Sequence, residues 1–378
     1  MFPKAVLKCP RTVCLTPPKV RSYNPLDPNK AAGRQQLMAD TKGFGVIGAG
    51  VWGETHLMAY AAEPLARLVG VCDLNADLAR QRAEQYGALM WTTDWRELLS
   101  RDDIDAVSIV TPDFLHREMA VAAAQAGKHV LLEKPMATSV EDAEAIAAAA
   151  REAGVILMVD FHNRWNPAMV QIKDAADAGE LGELQVASLR LNDTIWVPTG
   201  MLSWGAKSTV VWFLGSHSVD LVRWLFRDEV ARVYAVSRSR VLKGMGLDTP
   251  DFFHYILELK RGGVAHIENC WIMSESMPTV FDFKLELIGS EGTVFADCSS
   301  HRMVQKYVKA GASYPDVAVR VNIHGRAAGF GVESIRAFVR AVALGEPLPV
   351  SIEDGVENTR VLVAVHESAR TGQPVQVV

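Results

Sequence analysis

Residues 44–53 read Phe44-Gly45-Val46-Ile47-Gly48-Ala49-Gly50-Val51-Trp52-Gly53, and the reading of the whole chain starts there. The first four form a short apolar run suited to a strand buried on both faces. The last six are a G-x-G-x-x-G turn, and the chain from Glu54 to Glu63 continues as a helix that Pro64 stops. Gly48 permits the tight turn, Gly50 lets backbone amides approach a pyrophosphate, and Gly53 lets the helix pack close to the strand. Phosphates then sit at the helix N-terminus, where unpaired amides and the dipole favour negative charge. Gly48, Ala49, Gly50, Val51, Trp52 and Gly53 are therefore candidate dinucleotide-binding residues.

The flanking sequence supports this. A second apolar strand, Arg67 to Cys72, ends in Asp73, 20 residues beyond Gly53. A carboxylate there accepts hydrogen bonds from the adenosine ribose and repels a 2′-phosphate. Leu74-Asn75 follow, with no arginine, so NAD is expected, with NADP as the alternative. Strand and helix signals keep alternating: a strand from Ile104 to Val110 before Thr111-Pro112, a helix from Phe114 to Gln125 with Gly127 after it, and a strand from His129 to Leu132 before Glu133-Lys134-Pro135. Thr138-x-x-Glu141 reads as a capping box for an Ala-rich helix that closes at Gly154, and Val155 to Val159 is one more strand. This alternation predicts a Rossmann-type doubly wound parallel sheet, an α/β fold with its ligand beyond the carboxyl ends of the strands. Asp73, Thr111, Pro112, Glu133, Lys134, Asp160 and His162 fall at such ends.

Bulk properties agree. The chain has 378 residues, 49% hydrophobic and 22% charged, with a net charge of −5. That excludes nucleic acid as a main partner, and no apolar run is long enough to span a membrane. Cys9, Cys14, Cys72, Cys270 and Cys298 are scattered without disulfide or metal-ligand spacing; a cytoplasmic protein without a bound metal is expected. Residues 1–40 differ from the rest: net charge +5 against −10 for the remainder, and six of the 17 prolines. The tail, 1–41, reads as disordered, or as sequence ahead of a true start at Met38. It is basic and acid-poor like a transit peptide, but has one serine and no amphipathic period. The domains expected are 42–162 for the dinucleotide and 163–378 for the substrate and for oligomerisation.

Two residues stand out for chemistry. Lys134 follows a buried strand and precedes Pro135, which biases it toward an extended conformation. Beside a nicotinamide its pKa falls toward a value useful for proton transfer; otherwise it is a solvated lysine opening a loop. His217 lies in the first turn of a helix whose stripe is Val219, Leu221, Val222 and Leu225. A helix N-terminus disfavours the imidazolium, so His217 is a proton acceptor or a capping histidine. Asp220 either orients that imidazole or, the preferred reading, complements the helix N-terminus.

With those residues in hand, the sequence resembles the Gfo/Idh/MocA oxidoreductase family, which includes glucose–fructose oxidoreductase and inositol dehydrogenase. The resemblance rests on Gly48-x-Gly50-x-x-Gly53, Asp73, Thr111-Pro112-x-x-x-His116, Ala126-Gly127-Lys128-His129-Val130 leading into Glu133-Lys134-Pro135, and the Gly215-Ser216-His217 segment with Asp220-Leu221-x-Arg223-Trp224-Leu225. It runs from about residue 42 to the C-terminus. It implies a second, α+β domain with a large, mostly antiparallel open sheet, whose last helices pack back on the first domain, and pairing of subunits into a homodimer or homotetramer. The sequence agrees, with strands read at Val186–Leu191, Val230–Ser237, His254–Leu259, Val264–Trp271, Phe281–Ile288 and Val294–Ala296. A hairpin turn fits at Arg261-Gly262-Gly263, and the closing helices run from Gly331 to Leu344 and from Ile352 to Arg370.

The resemblance further implies an enzyme passing hydride between NAD and a secondary alcohol of a sugar, cyclitol or related polyhydroxy compound. Lys134 and His217 would be catalytic, and His116, Glu133 and Arg164 would lie near the cofactor. His162, Asn163, Asn192 and Trp204 are candidate substrate contacts; Trp196 and Trp204 either stack on a sugar ring or belong to the core. Family members commonly carry Asp four residues before the catalytic histidine, and this chain has Phe213 there. Two alternatives remain at this stage: a glycoside-processing enzyme using transient oxidation, and a non-catalytic dinucleotide-sensing regulator.

Overall fold

The computed structural model describes residues 41–299, 304–308 and 311–378; the expectations for residues 1–40 lie outside them. Six parallel strands, β1 (Lys42–Ile47), β2 (Ala66–Cys72), β3 (Met90–Thr92), β4 (Ala106–Ile109), β5 (His129–Leu132) and β6 (Leu157–Val159), form a sheet in the order β3-β2-β1-β4-β5-β6. The order reverses between β1 and β4, which opens a crevice at their carboxyl ends. Register sharpens this. Ile47 pairs with Cys72 on one side and Ile109 on the other, Ile109 with Leu132, and Leu132 with Val159. The row ends together, so Gly48, Asp73, Glu133 and Asp160 all stand one step past it.

The helices are α1 (Gly53–Ala62), α2 (Ala76–Tyr86), α3 (Trp95–Leu99), α4 (His116–Gln125) and α5 (Val140–Ala153). The α5 cap is Ser139, which accepts from the Asp142 amide, one residue later than the box expected at Thr138-x-x-Glu141. Both positions offer a hydroxyl three residues before an acid, and the sequence alone did not separate them. Gly127 has φ 71° and Gly154 φ 64°, the left-handed conformation that closes a helix.

α6 (Pro167–Asp177) leads into a seven-stranded sheet built from β7 (Leu184–Asp193), β8 (Val230–Arg238), β9 (Phe252–Leu259), β10 (Val264–Cys270), β11 (Phe281–Gly289), β12 (Thr293–Asp297) and a last strand, Val375–Gln376. The order is β12-β11-β7-β10-β9-β8 and then that last strand. The β7–β10 pair is parallel; the others are antiparallel. Alternation decides which face is covered. Leu189, Leu191, Tyr255, Leu257, Ile267, Phe283 and Leu285 are buried against α7 (Ser216–Phe226) and the C-terminal helix, whereas Tyr234, Ile256, Val264, Ile288 and Phe295 point outward and are exposed. Gly262, at φ 101°, makes the β9–β10 turn.

α8 (Phe330–Leu344) returns to the first sheet, where Val332, Ile335, Phe338 and Val339 join its core and the Phe338 ring meets Phe44 edge-on at 6.3 Å. α9 (Ile352–Thr371) opens with a capping box between Ser351 and Asp354 and packs on both α5 and β8. Among the described residues, no helix is long and apolar enough to cross a membrane.

Candidate active site

The glycine turn fits a dinucleotide by what a side chain would meet there. Gly48 has φ 97°, and a Cβ would lie 2.3 Å from the Val110 carbonyl oxygen. A Cβ on Gly53 would lie 2.0 Å from the Gly48 carbonyl oxygen. Protein geometry therefore demands both glycines. At Gly50 a Cβ would meet nothing within 4 Å, so the backbone there is open. Asp73, half-buried, accepts from the Ala49 amide at 2.8 Å and the Asn75 amide at 2.9 Å, which fixes its carboxylate against the turn with lone pairs to spare. Val51 is exposed. The Trp52 indole turns inward and donates to Glu133 Oε1 at 2.7 Å.

Beside this cradle lies a titratable cluster. Lys134, half-buried, donates from Nζ to the Phe213 carbonyl at 2.8 Å and lies 4.1 Å from the centre of the Phe213 ring. Its pKa falls below the ordinary lysine value because the amine loses hydration; Glu133, Asp193, Asp113 and Asp160 oppose the fall. The solvated-lysine reading is thereby set aside. The Lys134–Pro135 peptide is cis. His217 and His162, both buried, stand with ring centres 4.5 Å apart, and His162 also meets Trp52 at 5.0 Å. Burial holds both imidazoles neutral: His162 is pushed down to about 3, and His217 falls well below the ordinary value, with His162 and Lys134 adding to the effect. The Nδ1 atoms of His162 and His217 are buried without a hydrogen-bond partner among the described residues.

The expected cause of His217's neutrality is different in the structure. Residues Val211–Gly215 form a π-helical turn that runs directly into α7, so His217 does not sit at a free helix end, and burial replaces the dipole as the reason. Asp220 takes neither expected role. It binds Arg164 at 2.6 Å, and Arg164 also reaches Asp354 at 3.1 Å and the Pro349 carbonyl at 2.6 Å. Arg164, expected near the cofactor, is thus spent on an ion cluster joining the 162–165 turn to α7 and α9.

Glu133 belongs to a second network. Its Oε1 also meets His56 Nε2 at 3.0 Å, and His56 Nδ1 meets Ser108 Oγ at 3.0 Å. Facing atoms of His56, Glu133 and Asp160 lie within 4.8 Å of one another. Burial pushes Glu133 up to about 7, and burial together with Glu133 raises Asp160 well above the ordinary value. Burial and like charge thus both favour the protonated form of these two carboxyl groups. Asp160 was legible as a strand-end residue but carried no role in the sequence reading.

The other candidates divide. His116 bridges the Thr111 and Pro135 carbonyls at 3.0 and 2.8 Å, tying together the two turns that carry Pro112 and Lys134. Asn163 is buried in the same turn as His162. Asn192 gives its amide to Glu268 and accepts from the Cys270 amide, holding β7 to β10. Trp204 stands edge-on to Phe213 and Phe114, each at 6.4 Å; Trp196 is exposed and belongs to no core.

A parallel-sheet dinucleotide fold joined to a sheet-and-helix second half defines the class, and comparison with known proteins agrees. The family model described as "Oxidoreductase family, NAD-binding Rossmann fold" matches residues 42–161, and its partner, "Oxidoreductase family, C-terminal alpha/beta domain", matches residues 173–377. The chain belongs to this Gfo/Idh/MocA oxidoreductase family, and its cofactor is NAD. The scyllo-inositol 2-dehydrogenase (NAD(+)) of Bacillus subtilis is 30% identical over 88% of this chain and 95% of its own. The levoglucosan dehydrogenase of Pseudarthrobacter phenanthrenivorans is 29% identical over 86% of this chain and 95% of its own. The structure of GenD2 from gentamicin A biosynthesis in complex with NAD superposes with a TM-score of 0.77 at 27% identity, covering 89% of this chain and 97% of that one.

The raised pKa of Glu133 has a measurable consequence. Glu133 keeps its proton in the fold up to about pH 7 but loses it at the ordinary glutamate value when unfolded. Its contribution to stability is therefore complete below that ordinary value and is lost as pH rises through about 7. Glu133→Gln stays neutral throughout, so its melting temperature relative to the parent should rise between about pH 5 and about pH 8. An equal difference at both pH values would contradict the burial account.

Proposed function

We propose that this protein is an NAD-dependent dehydrogenase of a secondary alcohol in a sugar, cyclitol or related polyhydroxy compound, with Lys134 and His217 handling the hydroxyl proton. The observation that carries this is an amine with lowered pKa beside two buried neutral imidazoles with free nitrogens, Lys134 and His162 just past parallel strands and His217 reaching them from α7. NAD supplies the hydride acceptor at that edge. In oxidation Lys134 Nζ accepts the hydroxyl proton, and His217 orients the oxygen through a ring nitrogen; in reduction both steps reverse. His162 and Asn163 line the polar floor, and Trp204 offers an aromatic wall for the apolar face of a ring. The inositol and levoglucosan dehydrogenases among the relatives support a polyhydroxy substrate.

We read the exposed apolar residues on the outer face of the second sheet as a pairing surface between copies of the chain. A solution mass of a single chain would remove that reading. Asp73 supports NAD over NADP; Asp73→Ser is expected to narrow the preference, and equal binding of NAD and NADP by the parent would overturn it. Lys134→Ala should lower kcat by at least ~10²-fold with NAD affinity little changed, in a screen of sugars, sugar acids, inositols and glycosides for NAD reduction. Near-normal turnover would take Lys134 out of the mechanism.

A further inference from the structure

Phe213 gives Lys134 a ring and a backbone carbonyl but no charge. An amine that gains a proton in a desolvated site needs an anion within reach. On the dinucleotide side Glu133 is engaged by Trp52 and His56 and Asp113 by Ser208 Oγ and the Phe114 amide, while burial and Glu133 raise the Asp160 carboxyl well above its ordinary value.

Asp193 differs from these. It ends β7 on the other side of the cleft and is only 5% exposed. Its backbone is fixed by pairing with Phe281 and by a bond from the Met273 amide at 3.2 Å. Two residues earlier, the Leu191 carbonyl accepts from Asn269 Nδ2 at 2.9 Å, and the same amide group donates to Ser218 Oγ at 3.1 Å. Ser218 is the neighbour of His217. β7 also packs on the turn that carries Phe213. Asp193 and Phe213 therefore sit on adjoining elements, and Phe213 is the one that touches the amine.

We propose that Asp193 is the positioning residue that supplies, from the end of β7, the counter-charge for Lys134 that position 213 does not. This rests on the dehydrogenase reading above. Each group registers the other: Lys134 opposes the rise that burial imposes on Asp193, which reaches about 7, and Asp193 opposes the fall at Lys134. As the substrate O–H bond breaks and an N–H bond forms on Nζ, the Asp193 carboxylate stabilises the new ammonium; bound NAD+ would take the hydride of the adjoining C–H bond as the C=O bond forms. The remaining groups that face Lys134 are Glu133, Asp160 and Asp113, which favour the ammonium, and His162 and His217, neutral at this pH.

The test has two arms. In enzyme labelled with 13C at aspartate carboxyls, the signal lost in Asp193→Asn should titrate near 7 in the parent. In Lys134→Met it should move up by about one unit or more, because the cation holding it down is gone. A midpoint in the ordinary aspartate range, or one unmoved by Lys134→Met, overturns the proposal. NADH binding and circular dichroism of each variant confirm that it has folded.

The kinetic arm uses NAD+ with scyllo-inositol, myo-inositol and levoglucosan as probes. Asp193→Asn should lower kcat about tenfold, leave KM for the polyol within about twofold, and move the acid limb of kcat down by about one pH unit. Phe213→Asp added to Asp193→Asn should return both toward the parent. If Lys134→Ala abolishes turnover while Asp193→Asn changes neither kcat nor the limb, Asp193 has no such role and the dehydrogenase reading stands. If the parent reduces NAD+ with none of the polyols, that reading falls, and the carboxyl titration still decides the Asp193–Lys134 contact.

Discussion

The ion pair between Arg164 and Asp220 ties the turn that carries His162 to the helix that carries His217. His162 stands two residues before Arg164, and His217 three residues before Asp220, so one buried contact sets two imidazoles from different elements 4.5 Å apart. Asp354 extends the contact to α9. Removing one partner of such a pair typically costs about 3–5 kcal/mol, because the other charge stays buried and unpaired. The cost of assembling it is offset by several charge-assisted hydrogen bonds rather than by one.

Around that clamp, loss of hydration does most of the electrostatic tuning. It favours the neutral form of every group at once: amine, imidazoles and carboxyls. The differences among them come from neighbours. Glu133 has Lys134 beside it and titrates near 7; Asp160 has Glu133 beside it and is raised further. A set of groups with displaced pKa values at a cleft is a common mark of proton chemistry. Here it coincides with the edge where sheet register delivers Gly48, Asp73, Glu133 and Asp160 together.

Local signals made much of this legible. The glycine turn, the strand after it and Asp73 lie within thirty residues, and each parallel strand announces its end with polar residues after an apolar run. The second sheet could be read because its strands alternate. Features set by distant partners were not legible. The Arg164 cluster was hidden because its partners Asp220 and Asp354 lie 56 and 190 residues away. The three-residue β3 is too short for any period, and the π-helical turn at 211–215 has the same apolar pattern as an ordinary helix start. Asp193 carried no signal of its own, since it stands two residues past the strand read at Val186–Leu191.

The return of α8 to the first sheet has an architectural meaning. Phe338 completes an apolar layer begun by Phe44 and Tyr60, almost three hundred residues earlier in the chain. The two halves are thus woven together rather than strung in series. A chimaera that grafts the substrate half of one relative onto the nucleotide half of another must transplant that helix with the half it covers, or leave an oily seam open to water.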